Sequence, residues 1–72
     1  GLALALRNIA VSLEKLGEPE KALDHYYQAL SLYKEVEEPP KLVELYENLI
    51  LVLEKLGRYR EALEMTRKKH AL

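Results

Sequence analysis

The chain of 72 residues contains no cysteine, which excludes disulfide bonds and thiolate metal sites. This absence is compatible with a reducing compartment, so a natural protein of this sequence is expected in the cytoplasm. No apolar run is longer than that at Leu49–Leu53, far short of the ~20 apolar residues that a transmembrane helix needs. The net charge of −1 gives no bulk attraction to nucleic acid or to anionic membranes, so neither is expected as a partner.

Groups that form catalytic or metal centres are also scarce. The two histidines, His25 and His70, belong to no His-x-x-x-His or His-Glu-x-x-His pair. Ser12 and Ser31 have no base spaced onto the same helical face, and the three glycines occur singly, so they form no phosphate-binding loop. The sequence therefore predicts no enzyme activity, no cofactor and no metal site.

What the sequence does contain is an internal repeat. The pentapeptide Leu-Glu-Lys-Leu-Gly occurs at Leu13–Gly17 and again at Leu53–Gly57, and each copy is followed by an Ala-Leu pair. The two copies give a period of 40 residues (57 − 17), and a fixed period of this size is typical of stacked helical hairpins. We therefore expect a single helical domain over residues 1–72, with repeat one at 1–38 and repeat two at 39–72.

Apolar residues at helical spacing predict four helices, separated by glycine and proline. The first helix should end at Gly17, and the second should run over Pro19–Glu37. Because a residue before proline avoids the α region, Pro39 should be extended and the third helix should begin at Pro40. The fourth helix should begin just after Gly57. The third helix is apolar on most sides, which predicts that it is central.

The apolar stripes predict which face of each helix is buried. The predicted core residues are Leu2, Leu6, Ile9, Leu13 and Leu16 in the first helix, Ala22, Tyr26, Ala29, Tyr33 and Val36 in the second, Leu42, Tyr46, Leu49, Leu53 and Leu56 in the third, and Ala62, Leu63 and Met65 in the fourth. The fourth helix is otherwise polar, as expected of a terminal repeat that nothing covers.

Charge is unevenly divided between the second and fourth helices. Residues 18–38 carry six acids and two lysines, whereas residues 58–72 carry five bases and two acids. In stacked hairpins the second helices share one layer, so their attraction is expected to help set the register of the two hairpins. The alternative is that these are two solvated faces that differ in sign, since exposed ion pairs contribute only ~0.2–1 kcal/mol each.

The first hairpin resembles the tetratricopeptide repeat, in which a helix A that ends in glycine precedes a helix B with alanine, an aromatic residue and alanine. The matching residues are Leu6, Asn8, Ile9, Ala10, Leu13, Gly17, Ala22, Leu23, Tyr26, Ala29 and Leu30 in repeat one, and Tyr46, Asn48, Leu49, Leu53, Gly57, Tyr59, Ala62 and Leu63 in repeat two. Repeat two departs from the pattern at Ile50, Thr66 and Lys69, and the period exceeds the usual length of about 34 residues. The resemblance implies an all-α fold of four antiparallel helices in two stacked helix-turn-helix hairpins. A closed four-helix bundle would satisfy the same stripes.

In the tetratricopeptide family, ligands bind the concave surface that the A helices form. The resemblance therefore implies a set of candidate partner-binding residues on the A helices: Leu4, Arg7, Val11, Glu14, Glu44, Glu47, Leu51 and Glu54. This set is mostly apolar and acidic, so it should prefer an apolar or basic peptide. Arg7 and Asn48 are the only groups that resemble a clamp for a peptide carboxylate. The apolar start of helix one, at Leu2, Leu4 and Leu6, is a candidate for self-association into a homo-oligomer.

Two hypotheses for function stay open at this point. The first is a non-catalytic helical-repeat scaffold, designed, engineered or excised, with no ligand of its own; the lack of catalytic groups and of an initiator methionine favours it. The second is a natural adaptor fragment that mediates protein–protein or peptide binding on the A-helix surface.

Overall fold

A computed structural model describes residues 1–35 and 39–72, and these residues form four helices. The helices are α1 (Leu2–Lys15), α2 (Pro19–Glu35), α3 (Pro39–Lys55) and α4 (Tyr59–His70). No β-strand occurs in these two ranges, so the all-α prediction is confirmed. The predicted end of the second helix at Glu37, and the predicted core position Val36, lie outside the described residues. No helix in the described part of the chain is long and apolar enough to cross a membrane.

The same turn closes both hairpins. Gly17 has φ +80°, and its N–H donates to the carbonyl of Glu14 at 3.0 Å, while the N–H of Glu18 donates to the carbonyl of Leu13 at 2.9 Å. These two bonds form a Schellman motif, in which glycine takes the left-handed conformation without steric cost. The equivalent bonds around Gly57, which has φ +74°, measure 3.0 and 2.8 Å. The repeated pentapeptide therefore encodes the end of the first helix in each hairpin.

The start of α3 differs by one residue from the prediction. Pro39 is helical, not extended, so both prolines lie in the first turn of α3. The first four N–H groups of a helix have no partner within it, and two prolines there remove donors that would be unpaired in any case. The bias of a residue before proline against the α region did not decide the conformation of Pro39.

The helices pack in sequence order. α1 packs on α2, α2 packs on α3, and α3 packs on α4, whereas α1 and α4 form no extensive contact within residues 1–35 and 39–72. The Cα atoms span 30 × 27 × 13 Å, so the helices form a flat slab. A closed bundle would bring α1 against α4, and this alternative is wrong. The hairpins are stacked.

Helices α2 and α3 supply most of the core. Their buried residues are Ala22, Leu23, Tyr26, Ala29, Leu30, Tyr33, Leu42, Leu45, Tyr46, Leu49, Val52 and Leu53. The predicted stripes of these two helices are thus confirmed wherever the structure describes them, although Leu56 is only partly buried. α3 is central, as predicted, and α2 is equally so, because each of them packs against two other helices.

The predicted core face of α1 is wrong in three of its five positions. Leu2, Ile9 and Leu16 are 68%, 46% and 74% exposed. The fully buried residue of α1 is Ala10, whose small side chain lets α1 approach the tyrosine-bearing face of α2. The partly buried residues that pack beside it include Ala3, Leu6, Val11 and Leu13.

Helix α4 has a polar outer face, as predicted for a terminal helix. Ala62 and Met65 are buried, but Leu63 is 52% exposed, contrary to the prediction. Thr66 donates its hydroxyl hydrogen to the carbonyl of Ala62 at 3.0 Å, so its polar group is satisfied within the helix.

Candidate functional site

The first helices of the two hairpins, α1 and α3, are joined by two ion pairs. Arg7 Nη2 lies 2.6 Å from Glu44 Oε1, and Lys55 Nζ lies 3.3 Å from Glu14 Oε2. One member of each pair, Arg7 or Glu14, is largely shielded from solvent. Among the described residues, the ion pairs between hairpins therefore link α1 with α3, and none links α2 with α4. The attraction between the opposite charges of α2 and α4 stays a prediction.

Glu14 is also bonded to the second helix of its own hairpin. The hydroxyl of Tyr26, which is buried on α2, donates to Glu14 Oε1, while Glu14 Oε2 accepts from Lys55. Burial raises the pKa of Tyr26 well above its ordinary value, the bond to Glu14 and its charge raise it further, and the charge of Arg7 partly opposes these effects. Glu14 of α1 is thus bonded to both α2 and α3 through one carboxylate.

The candidate partner-binding residues lie on one side of α1 and α3. They follow the same spacing of three, four and three in both helices, which places each set of four on one helical face. Leu4 and Leu51 are 42% and 58% exposed, and Val11 is partly buried against the core. Glu47 Oε2 lies 3.9 Å from Lys69 Nζ of α4. We call these eight positions the α1–α3 surface: Leu4, Arg7, Val11, Glu14, Glu44, Glu47, Leu51 and Glu54.

The family is decided by a match along nearly the whole chain. A model of the tetratricopeptide repeat matches residues 1–68. The chain belongs to the tetratricopeptide repeat family. Members of this family are generally non-catalytic helical scaffolds that mediate protein–protein interaction. Comparisons with curated proteins and with solved structures returned no match.

Lysines border the α1–α3 surface of this tetratricopeptide repeat, and the candidate set did not include them. Lys15 and Lys55 line a shallow depression of about 200 Å³ together with Val11 and Glu14. Both lysines come from the repeated pentapeptide, so the repeat itself was the signal that pointed to them. Lysines and carboxylates thus alternate where α1 and α3 meet, and Glu47 and Glu54 make the outer part of α3 acidic.

Two donors at the same surface have no acceptor. Among the described side chains, Arg7 Nε and Asn48 Nδ2 are buried without a hydrogen-bond partner. Leaving a buried donor unpaired costs about 1–3 kcal/mol, so these two groups reduce the stability of the fold. Asn48 stands at the asparagine position of the tetratricopeptide pattern but was absent from the candidate set.

The three candidate self-association residues do not form one patch. Leu2 and Leu4 are exposed, whereas Leu6 is partly buried against the core. Leu2 and Leu4 both line an open cavity of about 420 Å³ with Tyr33 and Lys41, and Leu6 is not part of its lining.

The fold of this tetratricopeptide repeat is expected to lose stability at alkaline pH. Burial raises the pKa of both Tyr26 and Tyr27. The hydrogen bond to Glu14 and its charge raise the pKa of Tyr26 further, and the charge of Glu61 on α4 does the same for Tyr27. Above about pH 10 the unfolded chain releases tyrosine protons that the folded chain retains, so the free energy of unfolding falls. This stability is fully present below about pH 10 and is lost as the pH rises towards the folded pKa values.

Denaturant unfolding at about pH 8 and at several values above about pH 10 measures this loss. Tyr26→Phe removes one of the two shifted groups, so its stability should fall less steeply with pH. Tyr59→Phe is the control at an exposed tyrosine, and its slope should match the wild type. An unchanged slope in Tyr26→Phe would contradict the prediction.

Proposed function

We propose that this chain is a non-catalytic interaction module that binds a segment of a partner protein across the α1–α3 surface. The observation that carries the proposal is that two ion pairs, Arg7 with Glu44 and Lys55 with Glu14, hold α1 and α3 side by side while Leu4 and Leu51 stay exposed between charged groups. A surface held in place before binding loses little conformational entropy when a partner docks. The proposal keeps the division of the chain into repeat one (1–38) and repeat two (39–72).

The chemistry of the surface favours a basic, apolar segment as the partner. Leu51 lies one turn from Glu47 on one side and from Glu54 on the other, so an apolar contact is flanked by two carboxylates. A partner residue of matching shape should therefore be apolar and have lysine or arginine nearby. The absence of cysteine supports a reducing compartment such as the cytoplasm for a natural chain.

We expect a peptide with one apolar residue between lysines to give saturable shifts in a titration of ¹⁵N-labelled protein. The shifts should centre on the amides of Arg7, Val11, Glu47 and Leu51. Leu51→Lys replaces the apolar contact with a positive charge, which repels the lysines of the peptide. This variant should therefore weaken binding at least about tenfold. Because Leu51 is 58% exposed, the fold should survive this change.

Leu63→Lys is the matched control, since it places the same charge at an exposed leucine of α4. Binding should be the same in this variant as in the wild type. Equal weakening by Leu51→Lys and Leu63→Lys would contradict the proposed surface. An acidic peptide of the same length should give no saturable shifts.

A structural scaffold with no ligand of its own, including one of designed or engineered origin, is the second candidate. The observation that favours it is that the charges of the α1–α3 surface are already engaged within the chain: Arg7 binds Glu44, Glu14 binds Tyr26 and Lys55, and Glu47 lies near Lys69. A partner would have to compete with these bonds. Absence of saturable shifts with basic, apolar and acidic peptides alike would favour the scaffold.

A further inference from the structure

Helix α1 carries a second apolar stripe that nothing in the described structure covers. We call it the outer stripe; its members, spaced by three and four residues, are Leu2, Ala5, Ile9, Ser12 and Leu16. All five are exposed, and none is charged. Arg7 and Glu14 of α1 pair with α3, and Ile9 lies about 200° around the helix from Arg7. The middle of the outer stripe, at Ile9, thus faces away from α3 and from the α1–α3 surface, whereas Leu2 at its end also lines an open cavity with Leu4 and Lys41.

The internal repeat shows what kind of element such a stripe accommodates. Moving each position by the period of 40 leads to Leu42, Leu45, Leu49, Val52 and Leu56 of α3. The first four of these are buried, and the fifth is partly buried. α3 packs against α2 of the preceding hairpin, and residues 1–35 and 39–72 include no helix in the equivalent position beside α1. The stripe that is buried in α3 and exposed in α1 is therefore a surface that fits a helix.

A head-to-tail stack would place α4 of one copy on the outer stripe of the next, as α2 lies on α3. The charges oppose this arrangement. The positions of α4 equivalent to Tyr27 and Leu30 of α2 are Arg67 and His70. The outer stripe offers no carboxylate to Arg67, and an unpaired charge is costly to bury. The polar face of α4 is therefore a poor partner for α1.

We propose that the outer stripe binds the outer stripe of a second copy, with the two α1 helices antiparallel about a two-fold axis at Ile9. In this register Ile9 faces Ile9 of the other copy, and Leu2 of each copy faces Leu16 of the other. Ala5 of each copy lies beside Ser12 of the other, so no bulky or charged side chains oppose one another there. No like charges meet along the stripe, and the helix dipoles are antiparallel. A two-fold contact of this kind closes at the dimer.

The size of the stripe sets the strength of the dimer. α1 has 14 residues and is therefore about 21 Å long. One helix of this length buries less than the roughly 800 Å² per partner of a standard interface. The dimer therefore belongs to the weak class, in which the fraction of dimer rises steadily with protein concentration. It leaves the α1–α3 surface free, so the proposal does not depend on peptide binding.

Sedimentation equilibrium of the full chain tests the proposal. The wild type should fit a monomer–dimer equilibrium with no larger species, up to about 1 mM protein. Ile9→Lys and Ile9→Glu each place like charges opposite one another, so each should raise the dissociation constant at least about tenfold. An equimolar mixture of the two variants should recover dimer at the wild-type level or above, because opposite charges then meet at the axis. Circular dichroism should show that both variants keep their helices, since Ile9 is exposed.

Leu63→Lys, at an exposed leucine of α4, is the control and should leave the equilibrium unchanged. A wild type that stays monomeric up to about 1 mM overturns the proposal. Loss of association in Leu63→Lys, or oligomers that grow beyond the dimer, would instead indicate head-to-tail stacking. No recovery in the mixture of Ile9→Lys and Ile9→Glu would contradict the antiparallel register.

Discussion

Leu49→Ala is expected to lower the free energy of unfolding by about 2–5 kcal/mol, the usual cost of truncating a fully buried leucine. Leu49 is 0% exposed and lies on α3, which packs against both α2 and α4. A cavity there weakens contacts in both hairpins at once. A domain with about 0.05–0.15 kcal/mol of stability per residue cannot lose this much without unfolding a measurable fraction of molecules.

Chemical denaturation followed by far-ultraviolet circular dichroism measures the loss of stability. Leu51→Ala is the matched control, because it makes the same chemical change two residues away on the same helix. Leu51 is 58% exposed, so this variant should differ from the wild type by less than about 0.5 kcal/mol. Similar losses for Leu49→Ala and Leu51→Ala would mean that the outward face of α3 is wrongly assigned.

Tyr26→Phe should cost about 1.5–3 kcal/mol, the range for a hydrogen bond to a charged group. The phenylalanine ring fills the same space, so the variant removes only the hydroxyl that donates to Glu14. Glu14 is then left largely shielded from solvent with Lys55 as its remaining partner. The loss therefore reports the bond between α1 and α2 and not the packing of the aromatic ring.

A double-mutant cycle with Glu14→Gln separates this bond from its surroundings. Tyr26→Phe and Glu14→Gln should show a coupling energy above the ~0.3–0.5 kcal/mol within which independent sites add. Tyr59→Phe serves as the control, because Tyr59 is 68% exposed and should show no coupling to Glu14→Gln. Additive losses for the first pair would show that the hydroxyl contributes no specific bond to the fold.

The helices and turns of this chain were predictable because their signals are local. Gly17 and Gly57 end their helices through bonds to residues within the same turn, so the pentapeptide alone carries the information. The start of α3 was missed by one residue because two prolines in succession satisfy both the predicted and the observed start.

The buried face of α1 was less predictable because apolar residues extend around most of the helix. The largest side chains, at Leu2, Ile9 and Leu16, suggested a core stripe, whereas the structure buries the small Ala10. Periodicity identifies apolar stripes but does not distinguish one that meets the core from one that is free to meet a partner. Comparison with α3 makes that distinction, because the equivalent stripe there is buried.

The resemblance to the tetratricopeptide repeat supplied the positions of the α1–α3 surface, but it did not supply the bonds among them. Glu14 and Lys55 are 41 residues apart in the chain, and their contact depends on how closely the two hairpins stack. The resemblance presented Glu14 as a candidate contact for a partner. Its bonds to Tyr26 and Lys55 make it a structural group at the edge of the surface.

The sequential packing of the four helices also bears on how quickly the chain folds. The extensive contacts in the described residues join α1 to α2, α2 to α3 and α3 to α4, so each helix finds its main partner nearby in the sequence. Closing short loops costs little entropy, and proteins with such local contacts fold in microseconds to milliseconds. The chain therefore spends little time in open states in which its core is accessible to other chains. The apolar surface that other chains can meet is then mainly the outer stripe of α1, which is still exposed after folding.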